Sequence, residues 1–254
     1  MPLRPTAFSA VFLMLLTAAE PTAPRDHPLH ASSPDDPQPL ANKLQVRVAS
    51  FDAANRPLAQ LALALAYEYK LPMAFEHVDE DALRKPLGIR LRGSSLHDVV
   101  AAIVASLPEY RVDLSGGLVD IYTPAGRSDP SNLLNTVIES FDVTELDTHL
   151  ADAELLCALA RQLRPGSGCG GSVAGGQWGS LKITLHTQGT RVYEILNAIV
   201  AQNGGALWVP IPPPRKQSSV MMNLWYIYPL DPAFESTALS RLRSTLPQQA
   251  STHR

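Results

Sequence analysis

Apolar positions along the chain fall into two similar series of strand-like and helix-like periods. In the first, Leu44, Val46, Val48 and Phe51 predict an opening strand, and Asn55-Arg56-Pro57 predicts a turn. Asn55 is a candidate N-cap, and Pro57 falls near the first helical position. Leu58, Leu61, Leu65 and Tyr69 then recur at helical spacing among further Ala and Leu residues. A helix that is apolar nearly all round has to be covered on more than one side, which predicts that it is clamped between two small sheets. Residues 72–77 and 87–92 read as strands. Ser94 or Ser95 caps a second helix carrying Leu96, Val99, Val100, Ile103 and Leu107 on one face. Residues 110–114 and 118–122, joined by Gly116-Gly117, predict a closing hairpin. The predicted order over residues 43–124 is β-α-β-β-α-β-β.

The second series begins after a short polar link, residues 125–131. Leu134, Val137, Ile138 and Phe141 predict a strand, in which Ser140-Phe141-Asp142 echoes Ser50-Phe51-Asp52. A helix with Leu155, Leu156, Leu159 and Leu163 follows, and then a loop, residues 166–179, with seven glycines. Strand 181–186, helix 190–202 and strands 206–210 and 221–228 complete the series. The repeat is plainest in the second helix, where Leu96-His97-Asp98-Val99-Val100-Ala101-Ala102-Ile103 returns 96 positions later as Val192-Tyr193-Glu194-Ile195-Leu196-Asn197-Ala198-Ile199. The expected fold class is therefore α+β: two tandem small β-α-β-β-α-β-β modules, residues 43–124 and 132–230. Leu239, Leu242 and Leu246 predict a C-terminal helix before a polar tail, within residues 231–254.

The start of the chain has a different pattern. Arg4 precedes an apolar run, residues 7–19, that includes Val11, Phe12, Leu13, Met14, Leu15 and Leu16 and ends on Thr17-Ala18-Ala19. A charged start, a short apolar core and a small-residue exit predict a signal peptide over residues 1–19, and hence export. The other reading is a retained anchor, for which the run is short against the roughly 20 residues a bilayer needs. Residues 20–42, rich in Pro, Ser, Asp and His, predict a disordered leader.

The formal net charge of −3 gives no electrostatic footprint for nucleic acid. In an oxidising compartment Cys157 and Cys169 can pair, contributing about 3 kcal/mol in the chain-entropy model; otherwise they are a helical thiol and a loop thiol. Gly166-Ser167-Gly168-Cys169-Gly170-Gly171 fits a dinucleotide-binding pattern, but it leaves a helix and enters a strand, the reverse of what phosphate binding needs. A thiol-nucleophile site built on either cysteine with His186 has no spacing to support it. Glu76-His77-Val78-Asp79-Glu80-Asp81 lacks the spacing and glycine of a calcium loop and reads as a solvated acidic turn. Pro212-Pro213-Pro214 reads as a stiff hairpin loop. No catalytic, cofactor-binding or metal-binding residue is expected from these patterns. Trp208, Trp225, Tyr226 and Tyr228 crowd the last strands; with alternate residues facing opposite sides, Trp225, Tyr226 and Tyr228 mark a candidate partner-contact strand.

Ser50-Phe51-Asp52-Ala53-Ala54-Asn55-Arg56-Pro57-Leu58, Leu71-Pro72-Met73-Ala74-Phe75, the Leu91-Arg92-Gly93 turn and Ser95-Leu96-His97-Asp98-Val99 resemble the secretin and TonB short N-terminal domain. The resemblance covers residues 45–124; the second module is similar to it through the internal repeat. It implies a periplasmic interaction module, which in secretins sits at the inner end of the channel and in TonB-dependent transducers relays a signal to an inner-membrane regulator. The chain shows neither a secretin pore region nor the alternating segments of a plug and barrel. The expectation is a non-enzymatic periplasmic adaptor without cofactor, whose partner is an outer-membrane channel or receptor or an inner-membrane regulator. A small-ligand or cell-wall-binding protein using the aromatic strands is the alternative.

Overall fold

The computed structural model describes residues 39–53, 56–76, 85–166, 182–202, 207–210 and 225–228. The chain forms α1 (Leu40–Leu44), β1 (Arg47–Asp52), β2 (Arg56–Pro57), α2 (Leu58–Glu68) and β3 (Met73–Phe75). Then come β4 (Pro86–Leu87), β5 (Arg90–Ser95), α3 (Leu96–Ala105), β6 (Arg111–Asp113), β7 (Val119–Tyr122) and α4 (Pro124–Ser128). A 3-10 turn (Leu133–Asn135) leads to β8 (Val137–Asp147), α5 (Thr148–Leu163), β9 (Lys182–Arg191), α6 (Val192–Gln202), β10 (Leu207–Pro210) and β11 (Trp225–Tyr228). The fold is mixed α+β.

Local sequence explains where α3 starts. Ser95 is its N-cap and accepts from the Asp98 N–H, while Asp98 accepts from the Ser95 N–H at 2.9 Å, a reciprocal capping box. Just before it, Gly93 takes φ +61°, a left-handed turn that glycine adopts without steric penalty. The start of α6 repeats this arrangement: Gly189 has φ +61°, and the Arg191 N–H donates to the Glu194 carboxylate at 2.9 Å.

The strands that precede these helices pair in matching register. β1 and β5 are antiparallel with Val48 opposite Ser94, Ser50 opposite Arg92 and Phe51 opposite Leu91. β8 and β9 pair with Ile138 opposite Thr190, Ser140 opposite Gln188 and Phe141 opposite Thr187. On the next rung Asp52 lies 3.6 Å from Arg90, and Asp142 lies 3.2 Å from His186. At the other end the Leu96 N–H donates to Val46 and the Val192 N–H to Thr136. Beyond these shared rungs β8 continues to Asp147 through an irregularity between Val143 and Leu146, where Glu145 has φ +50°.

Of the remaining strands, β2 and β4 form a two-stranded antiparallel pair and the other five join in one sheet of order β11-β10-β3-β7-β6. β3 is parallel to both neighbours: Met73 and Ala74 lie opposite Leu207 and Trp208 on one side and Val119 and Asp120 on the other. Side chains alternate across this sheet and divide the interior into two cores. Met73, Phe75, Val119, Ile121 and Leu207 pack with α2 and α3. Ala74, Trp208, Trp225 and Ile227 pack with α5 and α6 and with the inner residues of β8 and β9. The layers are thus two-stranded sheet, helix pair, five-stranded sheet, helix pair, two-stranded sheet, all inside the unit Ala31–Arg254.

Several boundaries differ from expectation. Leu44 reaches the core from α1 rather than from a strand, and Val46 is exposed. Pro57 is the N-cap of α2 in extended conformation, one place outside the helix. The strand expected over 87–92 is broken at Gly88-Ile89, because Leu87 pairs with Arg56 and the next strand starts at Arg90. Val137 and Leu163 extend their elements past the core and are exposed. Residues 1–38, Asn55, the glycine-rich loop beyond Gly166 and the expected C-terminal helix lie outside the described residues. Among the described residues no helix is long and apolar enough to cross a membrane.

Candidate functional site

Two features of the five-stranded sheet stand out as candidate sites, a buried polar cluster on one face and an edge strand.

The cluster is centred on Arg127. Thr123 caps α4 by accepting from the Gly126 N–H at 3.1 Å, with Pro124 in the first turn, and this turn brings Arg127 back over the sheet. Glu76 follows β3, where its N–H donates to Ile121 at 2.9 Å. Arg127 donates to both Glu76 oxygens, from Nε at 2.8 Å and Nη2 at 2.9 Å, and from Nη2 to Asp120 Oδ2 at 2.6 Å. Its guanidinium also lies 3.4 Å from the centre of the Tyr122 ring and 5.0 Å from that of Tyr193. Asn197 of α6 donates to Asp120 Oδ2 at 2.7 Å, and the Trp208 indole N–H of β10 donates to Asn197 at 2.7 Å. One chain of hydrogen bonds therefore runs from β3 and β7, through α4, to α6 and β10.

Glu76 and Asp120 are each only 3% exposed. Burial first, and the Glu76 charge second, push the Asp120 carboxyl up to about 8, although Arg127 and Asn197 pull it the other way. Asp120 Oδ1 is buried and has no hydrogen-bond partner among the described residues. Burial alone would lower the Arg127 guanidinium, but the Glu76 and Asp120 carboxylates hold it above its ordinary range. The cluster has the composition of an acid–base site, yet apart from Asp120 Oδ1 its carboxylate oxygens are spent on Arg127 and Asn197. Its chemistry is that of a fastener between elements. A second polar anchor lies nearby, where the Trp225 indole N–H donates to Asp152 of α5. Burial raises that carboxyl to about 6, with the Trp225 hydrogen bond opposing.

The edge strand is β11, at one end of the five-stranded sheet, with β6 at the other. Trp225 and Ile227 are buried in the second core. Tyr226 and Tyr228 lie opposite Val209 and Leu207, and their side chains fall outside what the structure describes. Of the strand proposed from sequence, Trp225 therefore belongs to the interior, and its edge is offered by the main chain.

Cys157 on α5 is disulfide-bonded; Cys169, the other cysteine of the chain, lies outside the described residues. Among the described residues no group of three or more His, Cys, Asp or Glu is placed to hold a metal ion. An open groove of about 490 Å³ between β8 and α5 is lined by Glu139, Ser140, Arg161, Gln162 and Gln188, without a paired nucleophile and base.

The cluster was not visible as a site in the sequence. Glu76 was expected in a solvated acidic turn and is instead buried; Arg127 was expected in a polar link and is the hub of the network. The available signal was Asp120, a charge inside the apolar strand Leu118-Val119-Asp120-Ile121, which needs a buried partner. In comparisons with known proteins, no family model, no curated protein and no solved structure matches the chain.

Proposed function

We propose that this is an exported, non-enzymatic adaptor of the cell envelope, accessory to an outer-membrane channel of the secretin kind or to a TonB-dependent transport or signalling system. It binds its partner along the β11 edge of the five-stranded sheet. The observation that carries the reading is that edge: a short strand with Trp225 and Ile227 buried on its inner face and no described strand beyond it. Strand addition to such an edge uses main-chain hydrogen bonds and needs no catalytic or cofactor chemistry. The likeness of residues 45–124 to a periplasmic interaction domain and the signal-like N-terminus support the setting. The two tryptophans of the last strands are buried with their N–H groups engaged, which leaves those rings no open face for a glycan.

Photo-crosslinking in intact cells, with the crosslinker at position 226 or 228 and mass spectrometry of the joined products, tests this reading. The expected product is an outer-membrane channel or receptor, or an inner-membrane regulator. Recovery of the protein alone, or of nothing, overturns it.

A further inference from the structure

The open groove between β8 and the end of α5 is lined wholly by described residues. Its volume of about 490 Å³ falls within the roughly 300–1,000 Å³ usual for small-molecule sites. Both walls follow from local geometry. Ala158, Arg161 and Gln162 are at helical spacing, so they share one face over the last turns of α5. On the other wall Ser140 and Gln188 are a cross-strand pair of β8 and β9. The floor is apolar: Ile138 is buried, and Ala158 is partly buried against the second core.

The polar groups around that floor are unspent. Ser140 donates to Asp142 at 2.7 Å, but the side chains of Glu139, Arg161, Gln162 and Gln188 are exposed and bond to no described residue. Glu139 and Arg161 bring opposite charges into one groove, yet no ion pair joins them. Farther along the same strand pair the charges are matched, Asp142 with His186 at 3.2 Å and Asp147 with Lys182 at 2.7 Å. The groove therefore offers one anionic and one cationic contact with two carboxamides, and a carboxamide both donates and accepts, as a peptide group requires.

We infer that this groove binds a short peptide with free ends, its terminal ammonium on Glu139 and its terminal carboxylate on Arg161. A guanidinium presents parallel N–H groups that match a carboxylate, which sets the direction of the bound peptide. Gln162 and Gln188 take the peptide groups between the ends, and a small apolar side chain rests on Ile138 and Ala158. A peptide blocked at either end leaves one charge of the groove unanswered, so the site selects for free ends. It is separate from the β11 edge and does not depend on the adaptor reading.

The probe is the tripeptide Ala-Leu-Ala, titrated into the isotope-labelled full chain and followed by NMR. The expected result is saturable shifts of the residue 138–140, 158–162 and 188 amides, with peptide contacts to Ile138 and Ala158. Glu139→Gln and Arg161→Gln should each weaken binding by about threefold or more, the scale of an exposed ion pair. N-acetylation of the peptide should cost wild type as much as Glu139→Gln does, and cost that variant nothing further; C-terminal amidation should relate to Arg161→Gln in the same way. The blocked peptides test the pairing in wild type even if a variant fails to fold. The inference is overturned if the groove amides do not shift, if blocking either end leaves binding unchanged, or if a segment of the same chain already contacts Ile138 and Arg161 in the groove before peptide is added. Any of these results leaves the β11 reading to its own crosslinking test.

Discussion

Arg127 shows how much a single side chain decides here. It is the cation between two buried carboxylates, and it is flanked by the Tyr122 and Tyr193 rings. Removing one member of a buried ion network leaves charge without compensation, so Arg127→Met should destabilise the fold by about 3–5 kcal/mol, measured by urea unfolding. Asp120 adds a pH dependence of definite sign. Its carboxyl titrates near 8 when folded but in the ordinary carboxylate range when unfolded, so between those limits the folded state holds the extra proton. This contribution is fully present at acid pH and is lost as the pH rises through about 8. Asp152, raised to about 6, acts in the same direction over a narrower window. Asp120→Asn resembles the protonated form, so its unfolding midpoint should vary less between pH 5 and 9 than that of the wild type. An unchanged slope in the variant would show that Asp120 is not the titrating group. None of this network could be read from periodicity, because its members are scattered from position 76 to position 208 and meet only once both helix pairs are placed.

At the scale of elements, two helix starts and the strand pairings before them share the same local geometry. Gly93 and Gly189 share φ +61°, and a Cβ added at either would meet nothing within 4 Å. Only backbone strain opposes substitution there, so Gly93→Ala and Gly189→Ala should each cost about 1–2 kcal/mol, and by similar amounts. Ser95→Ala should cost about 1 kcal/mol through loss of the cap, while Arg191→Ala, whose backbone N–H still reaches Glu194, should cost much less. Thermal melts of the four variants check both pairs. Much of this level was legible beforehand. The helices with clear 3.6 periods formed as expected, and Leu96, Val99, Val100 and Ile103 are all buried. The Ser50-Phe51-Asp52 echo proved to be a shared pairing register. What escaped were ends set by tertiary contacts. β9 runs on to Arg191 because Thr190 and Arg191 still find partners in Ile138 and Val137, and Leu44 is helical because α1 buries it without a strand neighbour.

For the molecule as a whole, the main departure from a series of local periods is the shared sheet. Strand signals from 207–210 and 73–75 say nothing in the sequence about pairing with each other, since period-two patterns specify faces and not neighbours. Because β10 lies on β3, and the Asp120–Asn197–Trp208 chain ties the same elements, the two cores should lose structure together. Urea unfolding followed by tryptophan fluorescence and by far-UV circular dichroism should give coincident, single transitions; separated midpoints would show that the cores are independent. The parallel pairing of Met73 with Leu207 also has a consequence for the order of events during synthesis. A chain emerging from its N-terminus presents β3 long before β10 exists, and closing so long a loop is entropically slow. Until Leu207 arrives, one side of β3 has no neighbour to pair with and Ala74 no Trp208 to pack against. The five-stranded sheet thus cannot be completed until residues 207–210 have been made, so the earlier part of the polypeptide carries one open strand edge for most of its synthesis.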